Sequence, residues 1–298
     1  MPAPLFSGCA AAMITPFHKN GSIDTDALTR LIDMQIEAGM DAIVLLGTTG
    51  EASTLSMQER EQVISLGVQT AEKFMPVIVG TGSNDTRKAI EYARQAKSLG
   101  AAGQLSVTPY YNKATQRGLL RHFTAIADSC DLPMILYNVP SRTGINMDAS
   151  TAKMLCAHPG IAGIKEASGN LSLTADIIQQ TEHHLPVYCG NDDVIVPMMA
   201  QGAVGAISVV ANMLPMQTRT ITHACLNNCY VQAQGAQDAL LPLIRLLFSQ
   251  VNPIPIKAAL AAMGLIQDEL RLPLTPMEEP YRSHLIDSLS AMELIKTN

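Results

Sequence analysis

The stretch "GIAGIKEASGN" (residues 160–170) joins an apolar run to a polar cluster that contains glycine. An apolar run of this length, ended by a polar cluster and followed by an amphipathic segment, predicts one strand–loop–helix unit. Lys165 is the exception in the run, because an ammonium group is costly inside a strand that is otherwise buried. The stretch therefore raises two questions, namely how often the unit recurs and what the lysine does.

Seven further runs of the same kind occur along the chain. They are "CAAAMIT" (9–15), "AIVLLG" (42–47), "PVIVGTG" (76–82), "GQLSVTP" (103–109), "PMILYNVP" (133–140), "PVYCG" (186–190) and "VGAISVV" (204–210). All eight are apolar throughout instead of alternating, as parallel strands covered on both faces should be. Amphipathic segments fill the intervals, such as 25–38, which Asp24 or Thr25 can cap at its start.

Eight consecutive units of this type predict an α/β fold, the (β/α)8 or TIM barrel. We assign the catalytic barrel to residues 1–225. The remaining 226–298 contain further helical patterns interrupted by prolines, and we expect them to form a C-terminal helical region packed on the barrel. In such barrels the acting side chains lie at the carboxyl ends of the strands and in the loops that follow them.

The composition excludes several classes of function. The 298 residues are 47% hydrophobic and carry a net charge of −6, with Lys and Arg scattered singly. This pattern argues against nucleic-acid binding and against a basic membrane-binding patch. The start of the chain has no basic n-region and is broken by Pro2, Pro4 and Pro16, so we expect no signal peptide. No apolar run reaches about 18 uninterrupted residues, so we expect no membrane span. The six cysteines form no CxxC pair, and reduced thiols in a cytoplasm fit them best.

The motifs that bind common cofactors are missing from the strand ends. "GTGSND" (80–85) has only two of the glycines of a dinucleotide fingerprint, and there is no phosphate loop. His223, Cys225 and Cys229 share one helical stretch, but a fourth metal ligand is lacking, so packing thiols and a surface histidine are favoured. We therefore expect neither a cofactor nor a metal.

Lys165 suits carbonyl chemistry through an imine. A lysine amine must be neutral to attack a carbonyl, and apolar surroundings disfavour the charged form. Gly163 lies on the same face of the strand and would leave room for a small substrate. The structural alternative is a lysine that is solvated or paired with a carboxylate, for which Glu166 is adjacent. Lys257, also flanked by apolar residues, lies away from the strand ends, and we expect a structural role for it.

Hydroxyl groups and an arginine complete the candidate set. Tyr137, at the end of the fifth strand, would neighbour Lys165 and could relay protons through the hydroxyls of Thr48 and Thr49. The alternative for the threonine pair is a helix cap before 54–73. Arg142 has a planar donor fork that suits a substrate carboxylate, and its alternative is a surface or interface salt bridge.

These residues occur in motifs with a familiar order and spacing. "GTTGE" (47–51), "TPYYN" (108–112), "YNVPSRTG" (137–144), "GIKEASGN" (163–170) and "NPIPIK" (252–257) resemble the dihydrodipicolinate synthase family over essentially the whole chain. The wider superfamily, which includes N-acetylneuraminate lyase and keto-deoxy-sugar-acid aldolases, shares GxxGE, the tyrosine and the lysine. The "SRTG" that follows "YNVP" is more specific to the synthase family.

The resemblance implies roles for the catalytic residues. Lys165 would form the Schiff base with pyruvate, and Tyr137 would be the general acid and base. Thr48 would link Tyr137 to Tyr111, which in the family reaches into the site of the neighbouring subunit. Family members commonly form homotetramers built from tight dimers, so a dimer would be the smallest competent unit.

The resemblance also implies a second substrate and the groups that hold both substrates. Thr49 and the backbone at Gly190 and Ile207 would help to hold pyruvate. Arg142 would receive the carboxylate of aspartate semialdehyde, whose aldehyde is attacked by the enamine carbon. The product would leave after transimination, in the diaminopimelate route to lysine. No cofactor or metal is implied.

A possible effector pocket departs from the pattern of lysine-inhibited bacterial members. Its positions are Ala52, Ser53, Met57, Arg60, Asn84, Lys88 and Tyr110. Lysine-inhibited members carry two histidines where this chain has Met57 and Arg60, and a glutamate where it has Lys88. A cation in place of the acid would repel the amines of lysine. We therefore expect weak or absent feedback inhibition.

Two alternatives remain open. A pyruvate-dependent aldolase or lyase acting on a sugar acid shares most of these motifs, and Arg142 argues against it. A catalytically silent barrel that serves as a scaffold is opposed by the intact set of catalytic residues.

Overall fold

The protein, described here from a computed structural model, is a closed barrel of eight parallel strands in sequence order. The structure describes residues 4–295, so the predicted barrel start at residue 1 and the helical region's end at 298 lie outside the described residues. The strands are β1 (Gly8–Ala12), β2 (Ala42–Leu45), β3 (Val77–Gly80), β4 (Gly103–Val107), β5 (Met134–Asn138), β6 (Ile161–Glu166), β7 (Val187–Cys189) and β8 (Gly205–Ser208). The predicted (β/α)8 fold is confirmed: seven strands lie inside the predicted apolar runs, and β1 begins at Gly8, one residue before its run.

The apolar runs are explained by two separate layers of core. One cluster fills the barrel interior and includes Val44, Ile78 and Tyr188. The larger cluster lies between the strands and the surrounding helices and includes Ile43 and Ile164. Neighbouring positions in one strand therefore face different cores, and both faces are mostly apolar.

Twelve helices are described in residues 4–295. They are α1 (Thr25–Glu37), α2 (Met57–Ala71), α3 (Thr86–Ser98), α4 (Gln116–Ala127), α5 (Pro140–Thr143), α6 (Ala149–Cys156), α7 (Leu171–Gln180), α8 (Ile195–Ala200), α9 (Pro215–Leu226), α10 (Tyr230–Leu247), α11 (Ile254–Ala262) and α12 (Tyr281–Ala291). Within that part of the chain, no helix is both long and apolar enough to cross a membrane.

The start of α2 differs from the expectation for the threonine pair. A short turn over Ala52–Thr54 comes first, and α2 itself begins at Met57. Its cap is Ser56, which accepts from the Glu59 backbone N–H while the Glu59 side chain accepts from the Ser56 N–H. The helix-cap alternative for the threonines at 48 and 49 is therefore wrong, since neither hydroxyl caps α2.

The helices after α9 contact both the barrel helices and one another. α10 packs against α8 and α9, while α12 packs against α10 and α11. The division at residue 226 stays a prediction, although α9 ends at Leu226.

Two cations, the fully buried Lys257 and the partly exposed Arg271, connect this C-terminal region to the loop after β2. Lys257 is fully buried, pairs with Glu51 and donates to the Glu269 carbonyl at 2.9 Å. The Arg271 backbone N–H donates to the other Glu51 oxygen at 3.0 Å, and its guanidinium pairs with Glu59. Lys257 thus has the structural role expected of it, and the loop that carries the threonine pair is held from outside the barrel.

Candidate active site

Lys165 lies near the carboxyl end of β6, beside the strand that carries Tyr137. The two residues are register partners on β5 and β6, as the sequence predicted. Lys165 is only 5% exposed, and its Nζ lies 4.6 Å from the centroid of the Tyr137 ring. An amine and a phenol at this separation, in a water-poor setting, can act on the same bound molecule.

Lys165 faces a cavity of about 160 Å³. Six predicted site residues line this cavity, namely Thr48, Thr49, Tyr137, Arg142, Lys165 and Gly190. Residues from four different strand ends thus meet at one point. The volume suits a small oxo acid better than a nucleotide.

The ion pair between Lys165 and Glu166 is absent. Glu166 points to the other side of β6, where it accepts from Asn138 Nδ2 at 2.7 Å and from the Ser168 backbone N–H at 2.5 Å. Burial raises the pKa of Glu166, while these hydrogen bonds oppose the increase. In the described part of the chain Lys165 has no carboxylate partner, so its amine is available to a ligand.

The prediction that Gly163 leaves room for a small substrate beside the Lys165 amine is wrong. A Cβ at Gly163 would lie 2.9 Å from the Pro186 carbonyl oxygen and 3.0 Å from Tyr188 Cε2, so the space there is already filled. Gly190 is the glycine that makes room beside the amine, since a Cβ on it would lie 2.9 Å from Lys165 Cε. Spacing along one strand could not reveal this contact, because Gly190 comes from the loop after β7.

Thr49 and Arg142 meet at a residue that the sequence did not point to. Asn252 Nδ2 donates to Thr49 Oγ1 at 2.9 Å, and the Asn252 carbonyl accepts from the Arg142 guanidinium at 3.1 Å. Among residues 4–295 Arg142 forms no ion pair, so the surface-salt-bridge alternative is not what this chain shows. Asn252 is the first residue of "NPIPIK", which the sequence marked only as part of a resemblance.

Two predicted site residues do not line the Lys165 cavity. Tyr111 is 90% exposed, with a left-handed backbone (φ 71°), and does not line the cavity. Ile207 is buried in β8, two positions before Val209, which does line the cavity. Their roles toward pyruvate and the proton relay stay predictions.

A second cavity, of about 480 Å³, contains most of the predicted effector pocket. Its lining includes Ala52, Ser53, Arg60, Asn84, Lys88 and Tyr110. Met57 is not part of the lining, because it lies on the exposed first turn of α2. The cavity also reaches Thr48, Tyr137 and Arg142, so it is continuous with the surroundings of the catalytic groups.

Arg60 has an unusual environment in this second cavity. It is 1% exposed, its guanidinium stacks 3.8 Å above the Tyr92 ring, and it donates to the Gly80 carbonyl at 2.7 Å. Burial lowers the pKa of Arg60 to about 10. Lys88 Nζ lies 5.7 Å from the same ring centroid, so two cations flank Tyr92. Tyr92 was missed by sequence reasoning, since nothing in its helical pattern marks it.

The histidine that the sequence considered as a metal ligand has another partner. His223 Nε2 hydrogen-bonds to Asp41 at 2.9 Å, and the same carboxylate accepts from the Cys9 backbone N–H at 2.8 Å. These residues lie at the amino end of the barrel, opposite to Lys165.

The eight-stranded barrel and the buried lysine next to a tyrosine define a Schiff-base-forming, class I aldolase-type barrel enzyme. The model of the dihydrodipicolinate synthetase family matches residues 5–292. The chain belongs to this family.

Similarity to individual relatives extends over nearly the whole chain. The chain is 48% identical to the 4-hydroxy-tetrahydrodipicolinate synthase of Alkaliphilus oremlandii, over 98% of this chain and 100% of the relative. Its structure is similar to that of the chloride-inhibited dihydrodipicolinate synthase of Acinetobacter baumannii complexed with pyruvate. The TM-score is 0.95 and the sequence identity 44%, over 97% of this chain and 99% of the other. The enzyme of Cyanidioschyzon merolae with lysine bound is similar at a TM-score of 0.94 and 36% identity, over 98% and 100%.

Proposed function

We propose that this protein is a 4-hydroxy-tetrahydrodipicolinate synthase, a lyase that condenses pyruvate with L-aspartate 4-semialdehyde in the diaminopimelate route to lysine. The observation that carries the proposal is the buried Lys165 amine, which has a phenol beside it and a small cavity before it. Relatives that span the whole chain carry this name.

The reaction begins when the neutral Lys165 amine attacks the carbonyl of pyruvate. The carbinolamine loses water to give the imine, and loss of a methyl proton gives the enamine. Tyr137 exchanges protons in these steps, because its ring centroid lies 4.6 Å from the Lys165 Nζ and it lines the same cavity. The enamine carbon then attacks the aldehyde of the second substrate. Transimination by the substrate amine frees Lys165 and closes the ring.

The two carboxylates are held by different groups. Thr49, with the backbone at Gly190 and Ile207, receives the pyruvate carboxylate. Arg142 receives the carboxylate of aspartate semialdehyde, because its guanidinium lines the same cavity and has no competing carboxylate in residues 4–295.

Reductive trapping tests the imine directly. Sodium borohydride with pyruvate should add a stable adduct to the peptide that contains Lys165, and Lys165→Ala should prevent it. Turnover of pyruvate with aspartate semialdehyde in a coupled assay separates this function from sugar-acid cleavage. The absence of an adduct on Lys165 in the wild-type protein would contradict the proposal.

We further propose a homotetramer that is a dimer of dimers, with the dimer as the smallest active form. The exposed Tyr111 supports this, because an aromatic ring with 90% exposure and a defined backbone turn suits insertion into a neighbouring subunit. Sedimentation analysis over a range of concentrations tests the assembly. A cytoplasmic location is supported by six free cysteines.

We propose that lysine inhibits this protein weakly or not at all. Arg60 and Lys88 both line the second cavity, and either cation would repel a bound lysine. Initial rates measured against lysine concentration test this directly. Half-maximal inhibition below about 1 mM lysine would contradict the repulsion argument.

A further inference from the structure

Asn252 touches both of the side chains proposed to hold substrate carboxylates. It lies between α10 and α11, is 6% exposed and lines the Lys165 cavity. Its amide donates to Thr49, 203 positions away, and its carbonyl accepts from Arg142, 110 positions away. A residue outside the barrel strands thus connects two loops at the mouth of the barrel.

The direction of the bond to Thr49 decides what that hydroxyl can do. A hydroxyl carries one hydrogen to donate and lone pairs to accept with. Because Asn252 Nδ2 can only donate, Thr49 Oγ1 is the acceptor, and its own hydrogen stays free. Within residues 4–295 that hydrogen has no protein acceptor, and Thr49 lines the Lys165 cavity. The hydroxyl is therefore set as a donor toward a ligand.

The energetic penalty of burying the Asn252 side-chain amide indicates that its Nδ2 donor is needed. Asn252 Oδ1 is buried and has no hydrogen-bond partner in the described part of the chain. A buried, unpaired carbonyl oxygen opposes folding, and an apolar side chain of similar size would avoid that penalty. The bond to Arg142 does not require the amide either, because it uses the backbone carbonyl. The Nδ2 bond to Thr49 is what the asparagine side chain adds.

We propose that Asn252 is a positioning residue for pyruvate, which acts by orienting the Thr49 hydroxyl as a donor to the pyruvate carboxylate. This inference rests on the proposed function, because it assigns pyruvate to the cavity. Asn252 touches no reacting atom. Its backbone carbonyl fixes the Arg142 guanidinium independently of its side chain.

Asn252→Ala tests the proposal through a split between the two substrates. Thr49 then loses its donor and its hydroxyl can rotate, so KM for pyruvate should rise about tenfold, as for a lost hydrogen bond to a charged group. KM for aspartate semialdehyde should stay within about twofold, because the carbonyl that holds Arg142 is retained. A structural defect alone would not separate the two substrates in this way.

A double-mutant cycle tests whether Asn252 acts through Thr49. Thr49→Val removes the hydroxyl and should raise KM for pyruvate by about the same factor. In the Thr49→Val background, Asn252→Ala should have almost no further effect on that KM. Independent, multiplying effects of the two changes would overturn the proposal.

The matched control is Gln250→Ala. Gln250 lies in the same connection between α10 and α11, where its side chain bonds to Glu278 and not to the cavity. This variant should keep the wild-type KM for both substrates. If Asn252→Ala fails to fold, Asn252→Asp replaces it. Its carboxylate has the same shape and would accept the Thr49 hydrogen, so KM for pyruvate should rise at least as much.

The proposed function and this inference fail in different ways. If the wild-type protein yields no pyruvate adduct with borohydride, the proposed function is refuted. If the wild-type adduct forms but Asn252→Ala or Asn252→Asp leaves KM for pyruvate unchanged, only the positioning role is refuted. An equal rise in KM for both substrates also refutes it, since the amide would then act on Arg142 as well.

Discussion

Lys257→Met should destabilise the whole molecule while leaving the catalytic groups in place. Lys257 is fully buried, and its Nζ pairs with Glu51, contacts the Glu269 carbonyl and lies 4.1 Å from the centroid of the Phe17 ring. Burial lowers the pKa of Lys257, and the Glu51 carboxylate opposes that decrease. Methionine would fill a similar volume but leave Glu51 buried without its cation.

The expected loss follows from the charge left behind. Removing one partner of a buried ion pair costs about 3–5 kcal/mol, because the other charge stays in a medium of low polarity. For a chain of 298 residues this corresponds to a decrease in Tm of about 5–8 °C. Because the hydrogen bond from the Arg271 backbone N–H to Glu51 remains, we expect the decrease in Tm to lie toward the lower end of this range.

The assay is thermal unfolding followed by circular dichroism at one protein concentration, since assembly also shifts Tm. Lys73→Met is the matched control, because Lys73 is exposed and should change Tm little. Lys257→Met combined with Glu51→Gln should recover part of the loss, as no charge is then left unpaired. A Tm for Lys257→Met within about 2 °C of the wild type would refute the reasoning.

Three further outcomes are expected. Tyr137→Phe should lower kcat by about 10²–10⁴-fold with an unchanged Tm, because the phenol exchanges the protons, and near-normal turnover in steady-state assays would contradict this. Tyr111→Phe should lower activity without dissociating the assembly in sedimentation, and wild-type turnover would refute the relay. The hydrogen bond from Arg271 lowers the pKa of Glu59 to about 2 from 4.5, so its stabilisation is complete above about pH 4.5 and is lost as the pH falls toward 2. In Glu59→Gln, the free energy of unfolding should fall by about 1 kcal/mol less than in the wild type between about pH 4.5 and pH 2. This is less than the full pKa shift implies, because solvent screens this surface pair. An equal dependence of the free energy of unfolding on pH in both proteins would contradict the prediction.

The order of the strands could be predicted from sequence because it depends on local patterns. Each apolar run, such as 161–166, must bury both faces, and only helices on one side and a filled interior on the other satisfy that need. The position of Lys165 beside Tyr137 could be predicted from the strand order, since consecutive parallel strands become neighbours in the barrel. The first residue of a helix is harder to predict, because several nearby hydroxyl residues can serve as the cap. In α2 the cap is Ser56 and not the threonine pair.

The surroundings of the lysine could not be predicted in the same way. The sequence pattern does not distinguish Gly163 from Gly190. In the structure, however, Gly163 faces Tyr188 and Gly190 faces the Lys165 side chain. Arg60 reads as a surface cation on a helix but is buried beneath Tyr92. Such contacts join residues from different units, and their distances are set by how the helices pack on the barrel.

The sequence by itself determined the (β/α)8 barrel, its eight strands and the position of Lys165 at a strand end, because these depend on hydrophobic periodicity within each unit. Only the tertiary structure decided which groups surround the amine. Asn252 meets Thr49 across 203 positions, and Lys257 meets Glu51 from a helix outside the barrel. Hydrogen bonds and ion pairs act over a few ångströms, so such partners are defined only when the chain has brought distant segments together.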